Sequence, residues 1–255
     1  MSQIDPKERL IFALDVSSRT EAERYVKELE GLVRFFKVGI ILFTVAGPGI
    51  VSWLLKKGNK VFLDLKFFDI DETVRKAVQQ VAGLGVEFLT VHGEESVIKA
   101  AVEGRGKSSL KILAVTLLTS LDSNSLKDSG FNIPVSEFVL SRAKKAAELG
   151  CDGLISSGRE VKLIRQELKE RLIIVTPGIR PEGVGTDDHK RWMTPGMAIE
   201  QGSDYLVVGR PIRDAKDPAQ AAEGILEEMA QAFGRYRICR RLPLSARAVW
   251  GSPGG

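Results

Sequence analysis

The chain has 255 residues, 44% hydrophobic and 27% charged, a balance that suits a folded globular protein and excludes collagen-like, coiled-coil and disordered classes. Its formal charge of +4 and pI near 9.0 invite a nucleic-acid partner, but five of the basic residues, all arginine, follow Gly234 where no acid occurs. The body before them carries one more acid than base, so no basic nucleic-acid footprint is present there.

The opening Met-Ser-Gln-Ile-Asp-Pro-Lys-Glu-Arg has no apolar segment of leader length and carries acids, which predicts no export signal and a cytoplasmic location. Short apolar strands are predicted at Leu10–Leu14, Arg34–Val38, Lys60–Leu63, Glu87–Val91, Leu110–Val115, Gly153–Ile155, Leu172–Val175 and Tyr205–Val208. Amphipathic helical stretches separate them, among them Arg19–Glu30, Glu72–Gly83, Glu137–Leu149 and Pro218–Phe233. Val38 to Leu55 is uncharged and long enough to suggest a membrane span, but Gly47-Pro48-Gly49 breaks it into a buried strand followed by a loop and a helix. Three stretches, Leu84-Gly-Val-Glu-Phe, Leu149-Gly-Cys-Asp-Gly and Gln201-Gly-Ser-Asp-Tyr, share one grammar of helix end, glycine cap, acid and buried strand. Alternation of near-continuous apolar strands with helices predicts a parallel sheet buried on both faces, and eight such units predict a single (β/α)8 TIM barrel over residues 1–234. Gly234 reads as the cap of the last helix, leaving 235–255 as a basic, disordered tail.

In barrels of this kind the active site lies at the C-terminal ends of the strands. The residues there are Asp15, Lys37, Asp64 with Lys66, His92, Thr119, Ser156, Arg180 and Arg210, a polar set that predicts a convergent site for an anionic ligand. Asp64 and Lys66 are two apart and so share a strand face, with Asp69 at the start of the following loop. Alone, this run reads more readily as a salt-bridge cluster at a strand end than as a catalytic site. The segments Val175-Thr-Pro-Gly-Ile-Arg180-Pro and Val208-Gly209-Arg210-Pro follow the seventh and eighth strands, where such barrels hold phosphate on backbone N–H groups and guanidinium. Glycines near 183–185 suit a lid. Cys151 and Cys239 are too few and too far apart for a disulfide framework or thiolate metal site, and two histidines cannot build a histidine-rich one. His92 reads as a packed strand-end residue and Cys151 as a structural thiol.

From about Ile11 to Phe233 the sequence resembles the orotidine 5′-phosphate decarboxylases. The resemblance rests on Ala13-Leu-Asp15, Lys37-Val-Gly, Asp64-Leu-Lys66-Phe-Phe-Asp69-Ile70 with Thr73, Val91-His92, Val115-Thr-Leu-Leu-Thr119-Ser, Thr176-Pro-Gly-Ile-Arg180-Pro and Gly209-Arg210. It implies decarboxylation of orotidine 5′-phosphate to UMP and CO2 without cofactor or metal, in a homodimer. Lys66 would be the proton donor within a network of Lys37, Asp64 and a partner subunit's counterpart of Asp69. Asp15 and Lys37 would face the ribose and Thr119 the pyrimidine. Ile70 and Thr73 would reach the partner's site, and Arg180, Gly209 and Arg210 would hold phosphate.

The chain departs from the family pattern in three places. Asp71-Glu72 stands where the family continues Pro-Asn, and the pair is read as the acidic start of the next helix. His189 replaces a glutamine that spans pyrimidine and phosphate, and it is expected to keep one such contact. The tail matches nothing in the family. Two other readings remain at this point: a metal-dependent sugar-phosphate lyase of the same suprafamily, which shares the D-x-K-x-x-D run, and a non-catalytic barrel that binds a phosphate ligand.

Overall fold

The computed structural model describes residues 5–181 and 193–241. Eight parallel strands pair in chain order: β1 (Leu10–Ala13), β2 (Phe35–Gly39), β3 (Lys60–Phe67), β4 (Phe88–His92), β5 (Lys111–Val115), β6 (Gly153–Ile155), β7 (Ile173–Thr176) and β8 (Tyr205–Val208). β8 returns to pair with β1, closing the sheet into a single (β/α)8 barrel. The outer ring comprises α1 (Arg19–Glu28), α2 (Ile40–Ala46), α3 (Pro48–Lys56), α4 (Asp71–Ala82), α5 (Glu95–Arg105), α6 (Ser123–Asp128), α7 (Val135–Glu148), α8 (Gly158–Leu168), α9 (Pro195–Gln201), α10 (Arg210–Arg213) and α11 (Pro218–Arg241).

Strand side chains alternate between the barrel interior and the helix layer. The outward set, including Leu10, Phe12, Phe36, Leu63, Leu89 and Ile112, packs with the helices into the main apolar core. The inward set, Ile11, Phe35, Phe62, Phe88, Leu113, Val175 and Val207 with Ala13, forms a second cluster that fills the barrel. Phe88 anchors it, with ring centroids 5.1 Å from Phe35 and Tyr205 and 5.9 Å from Phe62. The Arg9 guanidinium lies 5.1 Å from the Tyr205 ring below this plug. Each fully buried aromatic or aliphatic side chain contributes roughly 1.5–3 kcal/mol. With the lower half filled, a ligand has room only at the upper mouth.

The repeated glycine-acid grammar has a structural cause. Gly85, Gly150 and Gly202 take positive φ of 82°, 79° and 108° and turn the chain from helix to strand. The acid that follows then closes the lower rim against a neighbouring strand. Asp152 Oδ2 accepts the Ile112 N–H at 2.8 Å and pairs with Arg105, while Glu87 pairs with Lys111. Asp204 Oδ2 accepts the Ile174 N–H at 2.8 Å and pairs with Arg165, whose guanidinium also donates to the Gly202, Lys169 and Leu172 carbonyls.

Three expectations are corrected. β3 runs to Phe67, four residues beyond Leu63, with a register shift against β4 between Leu63 and Phe67. The segment after β2 is a helix, α2, rather than a loop; Gly47, at φ +59°, ends it and Pro48 starts α3. Gly234 does not cap the last helix, because α11 continues to Arg241. Packing overrides the glycine: Arg9 lies 5.8 Å from the Phe233 ring and Arg235 Nε pairs with Glu200 at 2.8 Å. Residues 242–255, the rest of the expected tail, lie outside the described residues.

The rim pairs are remote from the mouth, which separates stability from chemistry. Asp204→Ala would leave the buried Arg165 guanidinium without its carboxylate and the Ile174 N–H without its acceptor. It is expected to lower the unfolding free energy by about 3 kcal/mol in urea titration, with kcat unchanged.

Candidate active site

Following the inward rows of the first four strands upward from the apolar plug, the chemistry changes to polar and charged. Ile11 and Ala13 lead to Asp15, Phe35 leads to Lys37 and Gly39, and Phe62 leads to Asp64 and Lys66. On β4, Phe88 leads to Thr90 and His92. The strand register sets Ala13 beside Lys37 and Gly39 beside Asp64, so Asp64 stands one inward step above Lys37, whose side chain rises to it.

The charges alternate. Lys37 Nζ is 2.8 Å from Asp15 Oδ1 and 3.4 Å from Asp64 Oδ2, and Lys66 Nζ is 2.7 Å from Asp64 Oδ1. Lys37 is buried, and a Cβ at position 39 would stand 3.0 Å from Asp15 Oδ1 and 3.1 Å from Lys37 Nζ. Gly39 therefore leaves the room this pair occupies. Burial raises the Asp64 pKa, but Lys37 and Lys66, with hydrogen bonds from Lys66 and Thr90, outweigh it and hold the carboxyl below its usual 3.8. Asp64 is thus a fixed anion between two ammonium groups.

Lys66 reaches Asp64 by a route that simple alternation does not describe. Its backbone has φ +49°, a left-handed conformation that few lysines adopt, at the register shift in β3. There its N–H donates to Thr90 Oγ1 at 3.0 Å, and the Thr90 hydroxyl donates to Asp64 Oδ1 at 2.9 Å.

These residues line a cleft of about 440 Å³ at the barrel mouth, continuous with Pro177, Gly178, Ile179 and Arg180 after β7 and with Gly209, Arg210, Pro211 and Arg213 after β8. Five of the seven charged side chains lining it are basic: Lys37, Lys66, Arg180, Arg210 and Arg213, against Asp15 and Asp64. Arg180 is buried, and Gly209 is the N-cap of α10, which begins at Arg210. Arg213 donates to the Asp15 carbonyl at 3.0 Å and pairs with Asp214 at 2.7 Å. Such a cleft can hold a polyanion, with one patch of charge at the β2–β3 end and another at the β7–β8 end.

Of the candidates read from the sequence, the structure gathers Asp15, Lys37, Asp64, Lys66, Arg180, Gly209 and Arg210 into this cleft. It leaves Asp69, Ile70 and Thr73 exposed on the segment entering α4, with the Asp69 carboxylate accepting the Ile70 N–H at 2.7 Å. Thr119 is half-buried in the loop between β5 and α6 and is not among the described residues lining the cleft. Ser156 is buried beyond β6, outside that lining, its hydroxyl 3.4 Å from the Ser157 carbonyl. His189 and the glycines at 183 and 185 lie outside the described residues. Asp71 and Glu72 open α4, where Glu72 pairs with Arg75 at 2.8 Å and Lys76 at 3.0 Å, as expected for helix-starting acids.

His92 packs its ring 4.5 Å from Phe68, and burial together with Arg142 lowers its pKa against the opposing pull of Glu94, which favours a neutral imidazole. Cys151 is buried below the strands, its thiol pushed up to about 11 by burial and its Sγ donating to the Ile112 carbonyl at 3.1 Å, so it is structural. Among the described residues no group of three or more His, Cys, Asp or Glu is placed to hold a metal ion, and no described helix is long and apolar enough to cross a membrane. Sequence reading does not single out Thr90 or Arg213. A lone polar residue at an inward position of an apolar strand is the signal for Thr90, and the second arginine of Gly-Arg-Pro-Ile-Arg is the signal for Arg213.

Residues 8–225 match the model of the orotidine 5′-phosphate decarboxylase / HUMPS family. The chain belongs to this family. Its relatives include the orotidine 5′-phosphate decarboxylase of Methylococcus capsulatus, 50% identical over 229 residues that span 89% of this chain and 93% of that protein. The orotidine 5′-phosphate decarboxylase of Bradyrhizobium diazoefficiens is 48% identical over 233 residues, 91% of this chain and 98% of the other. The crystal structure of orotidine 5′-phosphate decarboxylase from Lactobacillus acidophilus superposes with a TM-score of 0.77 at 39% identity, covering 87% of this chain and 99% of that one. The barrel and its charged mouth thus sit within a decarboxylase family.

A lowered carboxyl pKa has a defined sign in stability. The native state binds the Asp64 proton less readily than the unfolded chain does. Its contribution is therefore full above the usual value of 3.8 and fades as pH falls through the depressed native value. The stability gap between wild type and Asp64→Asn, measured by urea unfolding, is expected to be constant near neutrality and to narrow below about pH 4.

Proposed function

We infer that the protein decarboxylates orotidine 5′-phosphate to UMP and CO2, the last step of de novo UMP synthesis. The observation that carries this reading is the Lys37–Asp64–Lys66 array facing two phosphate-loop arginines across one cleft, in a chain close to half identical to named orotidine 5′-phosphate decarboxylases. The substrate has two anionic ends, a carboxylate on the pyrimidine and a phosphate on the ribose; the alternating charge array can face the first and the arginines after β7 and β8 the second.

When the bond between C6 and the carboxylate breaks, CO2 departs and the electron pair stays on C6. Lys66 then has two tasks: its ammonium stabilises the developing carbanion and gives C6 its proton. Asp64 holds the Lys66 ammonium in place at 2.7 Å, and it stands beside the departing carboxylate. Lys37 balances Asp64 and, with Asp15, faces the ribose. Arg180, Arg210 and the backbone at Gly209 hold the phosphate, which contributes binding energy remote from the bond that breaks. Thr119 is assigned to the pyrimidine and His189 to the former glutamine contact.

We further propose a homodimer in which Asp69, Ile70 and Thr73 complete the partner's site. Its support is a set of exposed apolar side chains: Phe68 and Ile70 beside Asp69, Ile40 and Ile41 just after β2, and Leu118 after β5. A nucleotide substrate and a chain with two cysteines fit a cytoplasmic setting.

The deciding measurement is the fall in orotidine 5′-phosphate absorbance on adding the protein in excess EDTA. Turnover there supports this reading over a metal-dependent sugar-phosphate lyase, whereas tight UMP binding without turnover would leave only a phosphate-binding barrel. Lys66→Ala should lower kcat by at least 10²–10⁴-fold, roughly the range for a lost general acid, while UMP still binds. Arg210→Ala should chiefly raise KM, by about 10- to 100-fold, the equivalent of one charged hydrogen-bonded contact.

The shared site has its own test. Mixing inactive Lys66→Ala and Asp69→Asn proteins under subunit exchange should restore about a quarter of wild-type activity, because each mixed dimer carries one intact site. No recovery despite demonstrated exchange would place Asp69 in its own chain's site.

A further inference from the structure

Beyond the residues assigned to substrate, one buried hydroxyl touches two members of the charge array at once. Thr90 stands in the middle of β4 with no exposed surface, on the inward row between Phe88 and His92. Its neighbours in the strand, Phe88, Leu89 and Val91, are buried apolar residues, so a bare hydroxyl here would be costly unless satisfied. It is satisfied on both sides: Oγ1 accepts the Lys66 N–H at 3.0 Å and donates its proton to Asp64 Oδ1 at 2.9 Å. The same Asp64 oxygen receives the Lys66 ammonium at 2.7 Å.

The backbone explains why the hydroxyl is needed. β3 and β4 pair in regular register at Phe62 with Phe88 and Leu63 with Leu89, lose it, and pair again at Phe67 with Val91. Four residues advance on β3 while two advance on β4, so the intervening stretch cannot all find ladder partners. Lys66 lies in that excess at φ +49°. A non-glycine residue in this conformation persists only where its surroundings over-determine it. The Thr90 oxygen supplies the missing acceptor.

We propose that Thr90 is a positioning residue for decarboxylation: its hydroxyl clasps the Lys66 backbone in the left-handed conformation and orients Asp64, so that the lysine ammonium is presented at a fixed height in the cleft. The inference rests on the decarboxylase reading, since the reaction is what reports the position of Lys66. Thr90 does not line the cleft, so its loss should act on the chemical step and spare nucleotide binding. The methyl group of Thr90 has no part in the clasp; the oxygen alone does.

The test is steady-state kinetics on full-length protein carrying Thr90→Val, Thr90→Ser or Thr90→Ala, with folding checked by circular dichroism and thermal unfolding. Thr90→Val keeps the shape and removes the hydroxyl. It is expected to lower kcat on the order of 10- to 100-fold, the scale of effect when a reacting group is displaced by a fraction of an ångström to an ångström. KM and the Kd for UMP should stay near wild type, and Thr90→Ser should recover most of kcat. Should the valine variant fail to fold, the serine and alanine variants decide, because both lack the methyl and differ by the one oxygen: serine should exceed alanine in kcat by the same factor. Equal kcat in that pair, or a loss confined to KM, overturns the proposal. Absence of turnover in wild type would instead defeat the decarboxylase reading, so the two failures are told apart.

Discussion

Closing eight short parallel strands into a barrel makes every second strand residue an interior one, and the interior is too narrow to stay empty. Phe35, Phe62, Phe88 and Tyr205 fill the lower half by edge and tilted ring contacts. Everything at the mouth inherits its height from that plug. Lys37 stands beside Phe62 in the sheet, while Asp64 is two residues above Phe62 and Thr90 two above Phe88, so the long lysine side chain rises to meet the Asp64 carboxylate that Thr90 also holds. The register of the sheet, set by packing below, thereby fixes distances of 2.7 to 3.4 Å among charged groups above.

A carboxylate buried between two ammonium groups is an expensive arrangement if any member is missing and a tolerable one when all are present. Asp64 accepts from Lys66 and Thr90 and faces Lys37, so its lone pairs are well used, and Lys37 is shared onward with Asp15. The consequence for chemistry is pre-organisation. Ammonium groups already aligned by fixed anions need little reorganisation when negative charge develops on a substrate carbon, and the low-dielectric walls of a cleft make their field stronger than bulk water would allow.

Much of this was legible in the sequence, and the parts that were not have physical reasons. Strand and helix alternation yields the barrel, because buried parallel strands are short apolar runs that stand out against amphipathic helices. Asp15, Lys37, Asp64, Lys66, Arg180, Gly209 and Arg210 meet in the cleft as expected, since position at a strand's C-terminal end fixes where a side chain goes. Ser156 shows where that rule fails: Ile155 belongs with the barrel's inner cluster, so the next residue turns away into buried structure. The extension of β3 was hidden because Asp64 and Lys66 interrupt its apolar run, and it is carried on by pairing of Asp64 with Gly39 of β2 and of Phe67 with Val91 of β4. Lys66 illustrates the same limit, for propensity does not predict a left-handed lysine; only the facing threonine accounts for it. Gly234 reads as a stop signal, yet contacts made by Phe233 and Arg235 carry the helix through it.

The two ends of the barrel divide the work. The upper rim concentrates features that cost stability: a buried lysine, a carboxylate nearly out of solvent and a residue at positive φ. The lower rim concentrates features that offset such costs, with Glu87, Asp152 and Asp204 each tying a strand start to a basic partner and two of them also taking up a neighbouring strand's N–H. Because the aromatic plug lies between, a change at one rim meets a tightly packed layer before it reaches the other. The repeated glycine-acid grammar therefore belongs to stability, although acids before strands might be mistaken for site residues. The same residue type four or more positions further along a strand unit, at the opposite end of the barrel, serves the charge array instead, and the side of the plug on which an acid falls decides which of the two roles it has.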